Sequence, residues 1–188
     1  VVLVPAERHV LGQTCLEVAA GEILPVDLTV ARPTTRPGLD TERIAVIFPD
    51  RRLDYYSASR WGASADIVVQ NLLVESLRNS GRLRTAQGDS SAFSSNYLLQ
   101  TELRDFQAES SGSGVPTVRV TLLCTLGQIR GRQPLASYSA TASVPASDDN
   151  LRAVVAAFED AYRKAAQSVV DDTLAALAAA LAQQSSTE

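Results

Sequence analysis

The stretch Val118-Arg-Val-Thr-Leu-Leu-Cys-Thr-Leu126 decides the fold, because apolar side chains occupy every second position along it. Alternate side chains of a β-strand point to opposite faces of the sheet, so this spacing predicts a strand, 117–129, with one buried face. The segments 97–108 and 134–145 on either side of it have the same period. Short connections join the three segments, which favours antiparallel hairpins.

Two other segments repeat apolar residues at helical spacing instead. The first, about 62–79, carries Leu77 on its apolar stripe, and Gly81 follows it as a residue suited to ending a helix. The second, about 150–183, carries Phe158 on its stripe. We therefore expect Leu77 and Phe158 to be structural core residues. Two helices against a mostly antiparallel sheet make a single α+β domain.

The domain is predicted to cover residues 26–188, after an irregular N-terminal segment at 1–25. Three further strands are expected near its start. Residues 26–30 alternate between apolar and polar, the run 43–48 is almost entirely apolar as in a central strand, and 53–56 fits a short edge strand.

The composition of the chain argues against several classes of function. The 188 residues are 45% hydrophobic and 20% charged, which is enough for one core, and the net charge of −4 disfavours a nucleic-acid partner. One histidine and two cysteines leave little material for a metal cluster or a histidine-based triad. No uninterrupted apolar run approaches the ~20 residues of a membrane span. We predict no catalytic, cofactor-binding or metal-binding residues.

The two cysteines, Cys15 and Cys124, allow two interpretations. Cys124 shares the apolar face of its strand and fits a small buried side chain. In an oxidising compartment it is also a candidate for a disulfide with Cys15, provided that the folded chain meets the strict geometry of that bond.

The most unusual local composition lies between Arg51 and Trp61. These eleven residues hold two of the five tyrosines, the only tryptophan and three arginines, types that are enriched in binding hot spots. The candidate partner-binding residues are Arg51, Arg52, Tyr55, Tyr56 and Arg60, and Trp61 is expected to be structural. In the alternative interpretation the arginines pair with local acids, and the tyrosines alternate on an edge strand, one buried and one amphipathic.

Several ordered segments carry a family resemblance. They are Gly38-Leu-Asp-Thr-Glu-Arg-Ile-Ala-Val46, Leu53-Asp-Tyr-Tyr56, Ser59-Arg-Trp61, Leu73-Val-Glu-Ser-Leu77 with Asn79-Ser-Gly81, Leu103-Arg-Asp-Phe-Gln-Ala-Glu109 and Val154-Val-Ala-Ala-Phe158. In order and spacing, over roughly 28–170, the sequence resembles the ABC-type transport auxiliary lipoprotein family, which includes paraquat-inducible protein C.

The resemblance implies a non-enzymatic component of Gram-negative lipid transport, without a cofactor. It further implies a periplasmic protein that is anchored to the outer membrane as a lipoprotein and works with an ABC permease and an MCE-domain protein. The run Leu11-Gly-Gln-Thr-Cys15 lacks the small residues that precede a lipidated cysteine. The anchor is therefore expected ahead of Val1, in line with the missing methionine.

Two functions fit these expectations. The first is a docking subunit that engages the MCE-domain protein, alone or as a homo-oligomer. The second is a periplasmic lipid carrier that binds the acyl chains of a phospholipid between sheet and helices, where small residues such as Ala140 and Ala165 leave room or simply allow close packing.

Overall fold

The computed structural model describes residues 7–12, 16, 20–112 and 114–185. In this part of the chain, nine strands form one mixed sheet and two helices pack against it. The strands are β1 (Glu7–His9), β2 (Leu24–Val30), β3 (Thr34–Thr35), β4 (Arg43–Ile47), β5 (Leu53–Trp61), β6 (Leu83–Gly88), β7 (Tyr97–Glu109), β8 (Thr117–Gln128) and β9 (Gln133–Pro145); the helices are α1 (Ala65–Asn79) and α2 (Leu151–Ser185). The predicted α+β class is confirmed.

Strand β7 joins the two halves of the sheet. Along one edge it pairs with β8, which in turn pairs with β9, and both pairings are long and antiparallel. Along the other edge it pairs in succession with β2, β3 and β4, all of them parallel to it. β6 extends the sheet beyond β2, while β5 and then β1 extend it beyond β4. The sheet therefore has two separate branches on this side of β7.

The three central strands match the sequence-based prediction to within one residue at each end. Val118, Val120 and Leu122 are completely buried, which confirms the predicted face of β8. In β7 the buried positions change phase, because a β-bulge follows Leu103 and returns Phe106 to the core face.

The boundaries of the two helices follow from the residues that flank them. α1 begins at Ala65 rather than at residue 62, because β5 continues as far as Trp61. It is followed by Gly81 at φ +64°, the left-handed conformation predicted for this glycine. α2 begins after Asn150, whose side-chain oxygen accepts a hydrogen bond from the Ala153 amide at 3.0 Å.

By length and composition alone, α2 would suffice to cross a membrane, although the sequence contains no uninterrupted apolar run of ~20 residues. Alanines raise its hydropathy, and no charged residue follows Asp172 in the helix. One side of the helix, from Ala153 to Leu177, is buried against β8 and β9. In this fold α2 is a core helix.

Aromatic rings occupy the centre of the core. Trp61, Phe106 and Phe158 contact one another with ring centroids 5.0–5.5 Å apart, in tilted and edge-to-face arrangements. They join the end of β5, the second half of β7 and the first half of α2. Packing of this kind adds specific geometry to the burial of large apolar surfaces.

Three strands were not predicted from the sequence. β6 and β3 are polar and short, and they pair in parallel with β2 and β7, so no local hairpin pattern reveals them. β1 lies within the segment 1–25 that was interpreted as irregular, and it consists of three polar residues beside the end of β5. The division at residue 26 stays a prediction.

We expect Phe158→Ala and Leu77→Ala each to lower the free energy of unfolding by about 2–5 kcal/mol, since both side chains are completely buried. Urea unfolding followed by circular dichroism measures the loss. The control is Val115→Ala, because Val115 is exposed and should cost little. A loss below ~1 kcal/mol at Phe158 would contradict its place in the core.

Candidate functional site

The hairpin between β4 and β5 holds most of the candidate partner-binding residues. It lies where β7 ends, since Ile47 pairs with Glu109 and accepts a hydrogen bond from the Ser110 amide at 2.8 Å. Phe48 donates its amide to the Arg52 carbonyl at 3.0 Å, which closes a three-residue turn. We call residues 48–56 the hairpin site.

Arg51 is the third residue of this turn and has a φ of +64°. A type I turn followed by one left-handed residue is a common three-residue hairpin connection, and glycine usually takes the last place. An arginine there is strained by about 1 kcal/mol. Arg51 is exposed and forms no ion pair within the described part of the chain, so its guanidinium is available to a partner.

Arg52 is engaged by its own neighbours. Its guanidinium lies 3.8 Å from an oxygen of Asp50 and 3.6 Å from one of Asp54, and it stacks over the Phe48 ring at 4.7 Å. Exposed ion pairs of this kind are weak. They orient Arg52 along the hairpin and compensate its charge.

Tyr55 is held from three sides. Its hydroxyl donates to the Gly38 carbonyl at 3.1 Å, and its amide donates to the Asp54 carboxylate at 2.8 Å. The Arg43 guanidinium lies 3.9 Å from the centre of its ring, within cation–π range. The half-buried ring is therefore fixed before any partner arrives.

Gly38 is required for this arrangement. Its φ is +93°, and a Cβ atom built there would lie only 2.5 Å from the Leu53 Cδ2 atom and 3.4 Å from the Tyr55 hydroxyl. The positive φ favours glycine here, and any Cβ atom at this position would also require the Leu53 side chain to move aside.

Tyr56 points to the other side of the strand and is also half-buried. Burial raises the pKa of the Tyr56 hydroxyl, and the negative charge of Asp149 raises it further. Beside it an open cleft of about 340 Å³ is lined by residues that include Phe48, Pro116 and Asp149. The rings of Phe48, Tyr55 and Tyr56 line the cleft together with polar residues, among them the carboxylates of Asp54 and Asp149.

Arg60 lies apart from the other four candidates. β5 is irregular between Tyr55 and Arg60, where Ala58 has a φ of +55°. Arg60 pairs across the sheet with Arg43 and forms an ion pair with Glu42 at 3.6 Å. The alternative interpretation, local pairing of arginines, thus describes Arg52 and Arg60 but not Arg51.

Sequence reasoning missed the residues that support the tyrosines. The pairing of β4 with β5 brings Arg43 and Gly38 to Tyr55. The segment before α2 brings Asp149 close to Tyr56. No local spacing signals these contacts. Trp61, in contrast, is only 1% exposed and belongs to the aromatic core.

Cys124 is buried in the core, and among the described residues its side chain has one hydrogen-bond partner, the Thr101 hydroxyl at 3.8 Å. Burial raises the pKa of the Cys124 thiol to about 11, despite the opposing effect of the Thr101 hydrogen bond. Cys15 lies outside the described residues, so the pairing of the two cysteines stays a prediction. Across the described ranges, no three His, Cys, Asp or Glu side chains are grouped so that they could hold a metal ion.

Comparison with known families identifies the chain. The family model for the ABC-type transport auxiliary lipoprotein component matches residues 16–170. This chain belongs to that family. The resemblance seen in the sequence is confirmed, and membership suggests a location in the cell envelope. A comparison with curated proteins gave no match.

Solved structures share the fold. A crystal structure from Xanthomonas campestris, assigned to the family DUF330, is 24% identical and superposes with a TM-score of 0.83 over 97% of this chain and 100% of its own. An uncharacterized protein at 13% identity gives 0.69 over 90% and 99%. A hypothetical protein from Chlamydia trachomatis at 10% identity gives 0.56 over 82% and 99%. At these identities the likeness shows the fold alone.

We expect Gly38→Ala to lower the free energy of unfolding by about 1–3 kcal/mol, through backbone strain and the clash with Leu53. The matched control is Gly131→Ala, because Gly131 has a similar φ of +87° but a Cβ atom added there would meet nothing within 4 Å. Urea unfolding of both variants measures their losses of stability: the loss at Gly131 reports backbone strain alone, and any additional loss at Gly38 reports the clash. Equal losses would show that the contact with β5 contributes nothing.

We expect Cys124 to resist thiol reagents in the folded protein at pH 8, because burial raises its pKa and blocks access. In denaturant without reductant it should react fully. Intact-mass measurement counts the adducts. Absence of any adduct on the unfolded chain would instead reveal the Cys15–Cys124 disulfide.

Proposed function

We propose that this protein is a non-enzymatic accessory subunit of an ABC/MCE-type lipid transport system. In this role it is held at the periplasmic side of the outer membrane by a lipid anchor and docks the MCE-domain protein through the hairpin site. Membership of the auxiliary lipoprotein family supports the role in transport. The hairpin site supports docking, because Arg51 is displayed there in a strained backbone conformation.

The strain at Arg51 is the observation that carries the proposal. A glycine would relax the turn, so the arginine lowers stability at a position where it makes no ion pair with any described residue. Backbone strain retained at an exposed turn is typical of functional positions. An arginine at such a tip can donate several directed hydrogen bonds to carboxylates or carbonyls of a partner.

The tyrosines beside it are suited to the same purpose. Tyr55 is immobilised by Gly38, Arg43 and Asp54, and Tyr56 forms a wall of the neighbouring cleft. Side chains that are already ordered lose little conformational entropy on binding. The proposed partner surface therefore presents an apolar projection for the cleft and acceptor groups for Arg51.

The lipid-carrier alternative receives less support from the packing. Ala140 and Ala165, the small residues that were considered as room for acyl chains, are buried at 3% and 1% exposure between β9 and α2. Close by, the Tyr138 hydroxyl and the Thr173 hydroxyl form a 2.6 Å hydrogen bond across this interface. Small residues here favour close approach of helix and sheet.

The decisive experiment is a binding measurement with the cognate MCE-domain protein. We expect Arg51→Gly to weaken binding about tenfold or more, as for a hot-spot residue. The same variant should be more stable than the wild type by about 1 kcal/mol, since the turn relaxes. A loss of affinity in a stabilised protein cannot be explained by misfolding.

Controls and further variants complete the test. Arg130→Gly removes an exposed arginine at the far end of the sheet that forms no ion pair with any described residue, and it should leave binding unchanged. Tyr55→Ala/Tyr56→Ala and Arg51→Ala/Arg52→Ala should weaken binding, with folding checked by thermal melts. Unchanged affinity in folded variants would remove the hairpin site from the interface. Native mass spectrometry tests the carrier alternative, which requires one co-purified lipid per protein.

A further inference from the structure

The end of the sheet opposite the hairpin site exposes large apolar side chains. β7 starts at this end, and its 13 residues at ~3.3 Å each separate the two ends by about 40 Å. Phe93, in the loop before β7, is 80% exposed. Ile23, just before β2, is 67% exposed, and Ile129, just after β8, is 44% exposed. We call this group, with Arg130 and Arg132, the basic–apolar end.

The exposure of Phe93 is built into the fold. Its carbonyl accepts a 2.7 Å hydrogen bond from the side-chain NH₂ group of Gln87, a residue only 8% exposed. The Ser91 hydroxyl in turn donates to the side-chain oxygen of Gln87 at 2.9 Å. Further along the loop, the Asn96 carbonyl accepts from the Ile129 amide at 3.0 Å. This network holds the backbone of the loop that carries the exposed Phe93 and ties that loop to the turn after β8.

Positive charge accompanies these apolar side chains. Arg130 and Arg132 are exposed, and no carboxylate of the described ranges pairs with either. Two nearby acids are engaged elsewhere: Asp27 binds Arg84, and Asp89 accepts hydrogen bonds from the Arg32 amide and from Gln70, whereas Glu22 beside Ile23 is exposed. Because Arg84 holds the pKa of Asp27 below its ordinary value, that carboxylate stays ionised and paired.

The last turns of α2 reach the same end. β9 ends beside Pro116, and α2 then runs back along it, as the contact between Tyr138 and Thr173 shows. From Thr173 to Ser185 the helix carries no charged residue. Its exposed alanines therefore add uncharged surface next to the turn after β8.

An open cavity of about 400 Å³ lies behind the same turn. Its walls include Leu98, Ile129 and Pro134, and Arg132 stands at its margin. A mainly apolar cleft with one unpaired guanidinium suits a molecule that combines hydrocarbon with a phosphate group.

We propose that the basic–apolar end binds the surface of a membrane that contains anionic phospholipids. Phe93 and Ile129 insert at the boundary between headgroups and acyl chains, and Arg130 and Arg132 contact lipid phosphates. Charge complementarity selects this occupant, since two unpaired arginines flank the apolar anchors. The anchors also project from separate elements, an arrangement that a deformable lipid surface can accommodate. The hairpin site at the opposite end stays accessible to the MCE-domain protein.

The test uses the unlipidated 188-residue chain and vesicle co-sedimentation. We expect binding to vesicles of phosphatidylcholine with about one third phosphatidylglycerol, weaker binding to pure phosphatidylcholine, and release by salt. Phe93→Ser/Ile129→Ser should reduce the partition coefficient about tenfold or more. Arg130→Gln/Arg132→Gln should reduce it about thirty-fold on anionic vesicles only.

Matched controls come from the hairpin end of the molecule. Val115→Ser and Arg51→Gln change an exposed apolar residue and an exposed arginine there, and both should leave vesicle binding unchanged. The proposal is overturned if the wild type binds neither vesicle, or if the paired variants bind as well as the controls. Self-association that Phe93→Ser abolishes, without vesicle binding, would assign the surface to a second copy. None of these outcomes decides the binding measurement with the MCE-domain protein.

Discussion

Pairing of β7 along both of its edges is the constraint on which the remaining structure depends. One edge carries the antiparallel meander, and the other carries β2, β3 and β4 one after another. Since each branch ends on its own portion of β7, the Phe93 loop and the hairpin site are set at opposite ends of one rigid strand. The bulge after Leu103 adjusts the faces, so that Leu99 and Phe106 both reach the same core.

The aromatic cluster then connects this sheet to the helical layer. Trp61 comes from β5, Phe106 from β7 and Phe158 from α2, so their contacts link three elements that are distant in sequence. The strand that ends in Trp61 also presents Tyr55 and Tyr56. Burial of Trp61 therefore anchors this strand in the core, while Gly38, Arg43 and Asp54 hold Tyr55 itself.

Local periodicity predicted what depends on local sequence. The two-residue period around Val120 predicted the antiparallel strands β7, β8 and β9, and the apolar stripes through Leu77 and Phe158 predicted both helices. It could not reveal β6 or β3, because short polar strands acquire their structure from parallel neighbours. At the hairpin site, composition identified the tyrosines, but the support from Arg43 and Gly38 arises only from cross-strand register.

The place of β7 late in the chain has a consequence for biosynthesis. Leu28 can pair with Ala86 of β6 and Ala45 with Tyr55 of β5 early in synthesis, but their partners on the β7 side, Tyr97 and Gln107, are made later. In contrast, β7, β8, β9 and α2 follow one another without interruption. The C-terminal half can therefore collapse by itself through hairpins, while the N-terminal half emerges first and lacks its permanent partner. During synthesis, the edges of β2 and β4 that later pair with β7 stay exposed to aggregation or chaperone binding until β7 has been made.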